Sequence, residues 1–227
     1  MTEENKVPRA TGSLGAIVAD DFNVMKAVGG GRGITESVLP TVLFLIIFAL
    51  RADLMMAIGV AVAAALILIV ARAVQRIDVT PALGGLFAVG LSAFMAWRTG
   101  QASDFFVWGL LVNLAYLAGI LISLLIRWPI IGVFIGFLRG DATSWRKDPE
   151  QKLTASRYTL ITWLWAGMFA ARAAVQLPLY FADATGALGI AKLAMGIPLF
   201  ALIVWFSWLL VRGLPEVQPV VAENADD

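Results

Sequence analysis

Arg172 and Lys192 are cations set inside runs that are otherwise apolar, the first between Tyr158 and Phe181, the second between Ala187 and Val211. A charge near the bilayer centre costs about 2.5–3.5 kcal/mol on insertion scales, so such a residue is retained where it faces a protein partner or a water-filled cavity. A long stem offers a third outcome, in which the charge snorkels to the headgroups. Gln176 follows Arg172 by one helical turn and shares its face. Asn113 and Tyr116, three residues apart on another apolar run, can also face one way. Asp53, Asp104 and Asp183 fall in turns on the side of the membrane nearer the two cations. Arg172, Gln176, Lys192, Asn113, Tyr116, Asp53 and Asp104 therefore make a candidate intramembrane polar site. Its chemistry is either ion pairing and interhelical hydrogen bonding or the lining of a path for a polar solute. Arg172 is expected to have a buried partner, with Asp53, Asp104 and Gln176 the leading candidates. For Lys192, snorkelling and pairing both stay open.

Other chemistry is excluded by what the chain lacks. It has no Cys and no His, hence no disulfide, no soft or imidazole metal ligand and neither a Ser-His nor a Cys-His pair. No catalytic, cofactor-binding or metal-binding residue is expected, and the protein is expected not to be an enzyme. A net charge of +1 leaves no basic excess to hold nucleic acid. The glycine run Gly29 to Gly33 lacks the Lys and the preceding strand of a phosphate loop, and reads as a hinge. The polar opening, Met1 to Asn5, is not followed by a continuous apolar core with a cleavage site, so no cleaved signal peptide is expected.

The elements that must position the polar set are membrane helices. Of 227 residues 60% are hydrophobic and 15% charged, against about 25% charged in an average soluble domain. Mean hydropathy is +0.84. Four apolar runs, Leu54 to Val70, Phe105 to Ile126, Tyr158 to Phe181 and Ala187 to Val211, meet the roughly 17–25 residues a tilted helix needs to cross the hydrocarbon core. The pattern predicts an all-α polytopic protein with six transmembrane helices arranged as three hairpins. They run from Glu36 to Leu50 and back to Ala71, from Thr80 or Pro81 to Trp97 and back to Ile126, and from Tyr158 to Phe181 and back to Val211. Each hairpin has an Asp at its turn and an Arg closing its second helix (Arg72, Arg127, Arg212), a pattern read either as a degenerate repeat or as ordinary turns and anchors. Residues 128–138 are apolar but too short to span, and lie in the interface or dip partway in.

Four regions follow. Residues 1–12 and 213–227 read as disordered tails, 13–33 as an amphipathic surface helix and Gly-rich hinge, and 34–212 as the membrane domain. A cytoplasmic N-terminus places nearly every Lys and Arg outside the spans on the inner side, leaving Arg51 and Arg98 outside, and an even number of spans returns the C-terminus to the cytoplasm. Glu36 either complements the first turn of its helix or pairs with Arg72, Arg76 or Arg127. Trp97, Trp128 and Trp145 are expected at interfaces, whereas Trp163, Trp165, Trp205 and Trp208 are expected to pack the bundle.

The run Gly30-Gly31-Arg32-Gly33-x-x-Glu36-Ser37-x-Leu39-Pro40, with Arg127-Trp128-Pro129, Trp163-Leu164-Trp165-Ala166-Gly167 and Arg172-x-x-x-Gln176-Leu177-Pro178-Leu179-Tyr180, resembles an actinobacterial membrane family known as domain of unknown function 3159. The resemblance runs from about Phe22 to Arg212. More distantly the chain is similar to the intracellular septation protein A family of bacterial inner membranes. The matching residues there are Pro40, Asp53, Asp104-Phe105, Pro129, Trp165-Ala166, Phe169 and Lys192. Gln176 stands where that family tends to carry Asn, and Arg172 departs from its pattern. The resemblance implies a multi-pass plasma-membrane protein with a role in envelope maintenance or septation, its partners being the lipid bilayer and other membrane or envelope proteins. A small transporter or channel is the alternative reading.

Overall fold

The computed structural model describes residues 30–140, 143–146 and 148–214. The expected amphipathic helix from Ser13 to Val28 and both tails beyond these limits lie outside the described residues.

Among the described residues the chain is helical throughout. It forms α1 (Gly30–Arg51), α2 (Leu54–Val74), α3 (Thr80–Thr99), α4 (Val107–Leu125), α5 (Ile130–Leu138), α6 (Lys152–Phe181), α7 (Thr185–Ala194) and α8 (Ile197–Val211). Short 3-10 turns at Ala102–Phe106, Ser144–Arg146 and Pro149–Gln151 complete the path. In hydrocarbon every backbone polar group must be satisfied within the segment, and a helix does so. The ends carry familiar signals. Asp53 caps α2 by accepting from the Met56 N–H at 3.0 Å. α3 opens on a Pro in its first turn and closes on Gly100 at φ 73, a left-handed position that suits glycine.

Five segments are long and apolar enough to cross a membrane: Leu54–Val74, Ala82–Thr99, Ala102–Leu125, Pro149–Phe181 and Thr185–Val211. The apolar part of α1, Val38–Arg51, is shorter. The helices follow one another as hairpins: α1 with α2, α3 with α4, and α6 with the α7–α8 pair.

Four expectations are corrected. Gly30 to Gly33 do not form a hinge; they wind into the first turn of α1, where the Thr35 hydroxyl donates to the Gly31 carbonyl at 2.9 Å. The helix of the fifth span starts before Tyr158, because α6 begins at Lys152. Span six is not one helix. It breaks at Met195-Gly196, where Gly196 adopts φ −76 and ψ −102, and restarts at Ile197 with Pro198 in its first turn. Nor do the tryptophans sort as expected. Trp163 is 54% exposed, because it lies about 200° around the helix from its buried neighbours Ile161 and Trp165. Trp205 also faces outward, while Trp145 is buried edge-on against the Tyr158 ring, 5.1 Å away.

Two cores hold the bundle. Ile120, Ile135, Tyr158, Ile161, Trp165, Phe169 and Val204 pack around α6. Phe44, Ala57, Ala61, Ala96, Phe105 and Leu188 join α1, α2, α3 and α7, with the Phe44 and Phe105 rings stacked at 3.9 Å. Small residues there let backbones approach, as membrane packing favours. The nine-residue α5 is too short to span and docks on α6 through Gly132, where a Cβ would meet the Tyr158 Cβ at 2.5 Å.

Candidate functional site

The break between α7 and α8 makes Gly196 the N-cap of α8, so its carbonyl accepts from the Phe200 N–H at 3.1 Å and keeps a second lone pair open to a further donor. Arg172 supplies it: its Nη2 donates to the Gly196 oxygen at 2.8 Å. The partner expected from Asp53, Asp104 or Gln176 is therefore a backbone carbonyl. The guanidinium also lies 6.0 Å from the Phe169 ring centroid, and its Nε is buried with no hydrogen-bond partner.

One turn toward the start of α6, the Phe169 carbonyl accepts from Asn113 Nδ2 on α4 at 3.0 Å. Asn113 Oδ1 is buried and unpartnered. Tyr116 reaches the same residue by another route, its ring stacked on Phe169 at 5.4 Å, but 59% of it is exposed. Lys192 neither pairs with a carboxylate nor forms a hydrogen bond among the described residues. Its ammonium lies 5.0 Å from the Phe106 ring centroid and beside Gly109, 3.8 Å from where a Cβ there would sit. Gln176 is buried, 8% exposed, and takes no hydrogen bond among the described residues.

The carboxylates go elsewhere. Asp104, buried in the 3-10 turn before α4, accepts from the Tyr180 hydroxyl at 2.5 Å and ties that turn to the far end of α6. Asp53 is exposed and spent on capping α2. Structure thus gathers Arg172, Asn113, Lys192 and Gln176 along the α4–α6–α7 seam, places Asp104 at its end, leaves Tyr116 on its outer flank, and separates Asp53 from it.

Residues outside the expected set complete the seam. Gly196 and Phe169 contribute backbone carbonyls, and Tyr180 the hydroxyl on Asp104. Nearer the other end Trp165 Nε1 donates to Ser207 Oγ at 3.1 Å, joining α6 to α8. The Gly196-x-Pro198 pair was the sequence signal for the break.

Where the Arg-rich ends of α1 and α2 meet, Glu36 forms a 2.6 Å ion pair with Arg72. Arg72 Nη1 donates as well to the Asp78 carbonyl at 2.5 Å. The Thr80 backbone N–H on its carboxylate, with the Thr80 hydroxyl and the Arg72 charge adding to it, holds Asp78 below the usual aspartate value. Pairing, the sharper of the two readings of Glu36, is the one the structure adopts. Among the described residues no group of three His, Cys, Asp or Glu side chains could hold a metal ion.

No curated protein and no solved structure matches the chain. A family model described as protein of unknown function (DUF3159) matches residues 28–218, and the chain belongs to that family of membrane proteins.

Proposed function

We propose that the chain is a six-span plasma-membrane protein with cytoplasmic termini that carries out no chemistry of its own and supports envelope maintenance or septation through protein partners. One observation carries the reading. Two of the side chains that would line a solute path are instead committed to helix–helix contacts, Asn113 to the Phe169 carbonyl and Arg172 to the Gly196 carbonyl, and Tyr180 to Asp104 and Trp165 to Ser207 add further bonds between elements. Such bonds are the ordinary glue of membrane bundles. Six spans are supported by depth. Glu36 stands beside Arg72 and Arg51 beside the turn into α2, so the two helices cover the same thickness. The envelope role rests on the distant septation-family resemblance.

Transport is the second reading, favoured by the interruption of the sixth apolar run, since broken helices mark the binding sites of many transporters. Thiol accessibility separates the two. With no native Cys, single cysteines at Asn113, Gln176 and Lys192 should stay unlabelled by a small membrane-impermeant reagent added outside intact cells. One at exposed Gly186 should label readily. Labelling at all three seam positions would overturn the scaffold reading in favour of transport.

A further inference from the structure

We infer that the seam beside the α7–α8 break binds a phosphate oxyanion, carried by an anionic phospholipid headgroup or free in solution. This goes beyond the scaffold reading: a lipid headgroup is compatible with a seam closed to water, whereas binding of free phosphate would contradict that reading.

Register brings the two cations together. Asn113 bonds to Phe169 and Asp104 to Tyr180, so α4 and α6 run antiparallel. A Cβ on Gly109 would lie 3.8 Å from Lys192 Nζ, and Gly109 is one turn from Asn113 on α4. Arg172 is three residues from Phe169 in the matching direction on α6. At about 1.5 Å of rise per residue the guanidinium and the ammonium stand at one level, within about one turn.

That level holds two positive charges, and among the described residues neither forms a salt bridge. Its remaining capacity is mostly for donation. Arg172 Nε is buried and unpartnered, Lys192 Nζ has only the Phe106 ring, and Gln176 makes no hydrogen bond among the described residues. The first turn of α8, a 15-residue helix that begins at the break, adds the positive end of a helix dipole. Asn113 Oδ1 is a free acceptor, suited to a phosphate hydroxyl or a bridging water. A guanidinium, an ammonium, an amide and a helix N-terminus recognise phosphate and repel metal cations. Arg172 and Lys192 are each partly exposed as residues, so the seam opens toward the surface that lipid covers. Basic pockets between membrane helices hold lipid headgroups in this way.

The test uses the purified full chain in a neutral detergent, melted by tryptophan fluorescence. Phosphatidylglycerol is titrated against phosphatidylcholine, and sodium phosphate against sodium chloride at matched ionic strength. A saturable Tm rise of several degrees with phosphatidylglycerol alone supports a lipid source; a rise with sodium phosphate supports a soluble one. Arg172 substitutions risk unfolding the break, so the decisive variants are Lys192→Met and Gln176→Leu, which remove no hydrogen bond. Each should cut the ligand-induced shift by at least half, whereas Arg98→Gln, an exposed cation at the same end, should leave it intact. No saturable rise with either probe, or an undiminished rise in Lys192→Met, would overturn the proposal.

Discussion

Arg172 is held by a carbonyl and not by a carboxylate, which changes what its loss should do. Arg172→Leu removes the interhelical bond to the Gly196 oxygen and leaves the Phe200 N–H as its remaining donor, at a cost of roughly 1–2 kcal/mol. The detergent melting temperature should fall, Arg172→Lys should recover part of the loss, and a second substitution at Asp53 or Asp104 should recover none. Recovery through either carboxylate would restore an ion-pair account. The sequence made Arg172 conspicuous because a charge in an apolar run is visible letter by letter. Its partner was hidden because every backbone carbonyl carries a second lone pair, and no residue type announces which one a side chain will reach. Gly196 and Pro198 together were the clue, and the uninterrupted apolar character of Ala187 to Val211 masked it. Lys192 was equally visible, but its neighbours Phe106 and Gly109 are an aromatic face and a missing side chain, neither of which a search for counter-charges finds.

At the scale of elements, helix existence was legible from apolar run length, and helix ends from Asp53, Gly100 and Pro129, since capping chemistry is local. What was not legible was docking. Apolar residues cover both faces of a membrane helix, so periodicity does not say which face meets protein, and Trp163 was placed inside for that reason. Close approach is marked instead by glycine. Gly132 lies where a Cβ would strike the Tyr158 Cβ at 2.5 Å and Cγ at 3.2 Å, and its N–H points at Thr162 Oγ1, 3.4 Å away. Gly132→Ala should therefore lift α5 off α6 and destabilise by about 1–3 kcal/mol, the range for overpacking. Gly119→Ala, with nothing within 4 Å of its Cβ, should be neutral or stabilising by up to about 1 kcal/mol through helix propensity. Melting the two variants side by side separates the effects; equal behaviour would mean that α5 is not docked as described.

For the whole molecule, the distribution of charge is the strongest handle. One end of the bundle carries Arg72, Arg76, Arg127, Arg139, Arg157 and Arg212, while the hairpin turns at the other carry Arg51 and Arg98. In the proposed topology this basic end is the cytoplasmic one, following the positive-inside rule. The open question is α1, whose apolar part is shorter than the five longer segments. Its Glu36–Arg72 ion pair and its 22 residues, about 33 Å at helical rise, match the thickness that α2 covers. If α1 crosses, the residues before Glu36 lie on the basic side together with the turn at Pro149–Gln151. Single cysteines at Thr35 and Glu150, both exposed, should then be inert to an impermeant thiol reagent on intact cells and react after permeabilisation. Cysteines at Gln101 and Gly186 should react from outside at once. Outside reactivity at Thr35 alone would place α1 along the membrane surface and leave five spans, while outside reactivity at Glu150 would invert the whole topology. The ion pair argues against the first outcome, since it ties the start of α1 to the end of α2, where arginines crowd one side of the membrane.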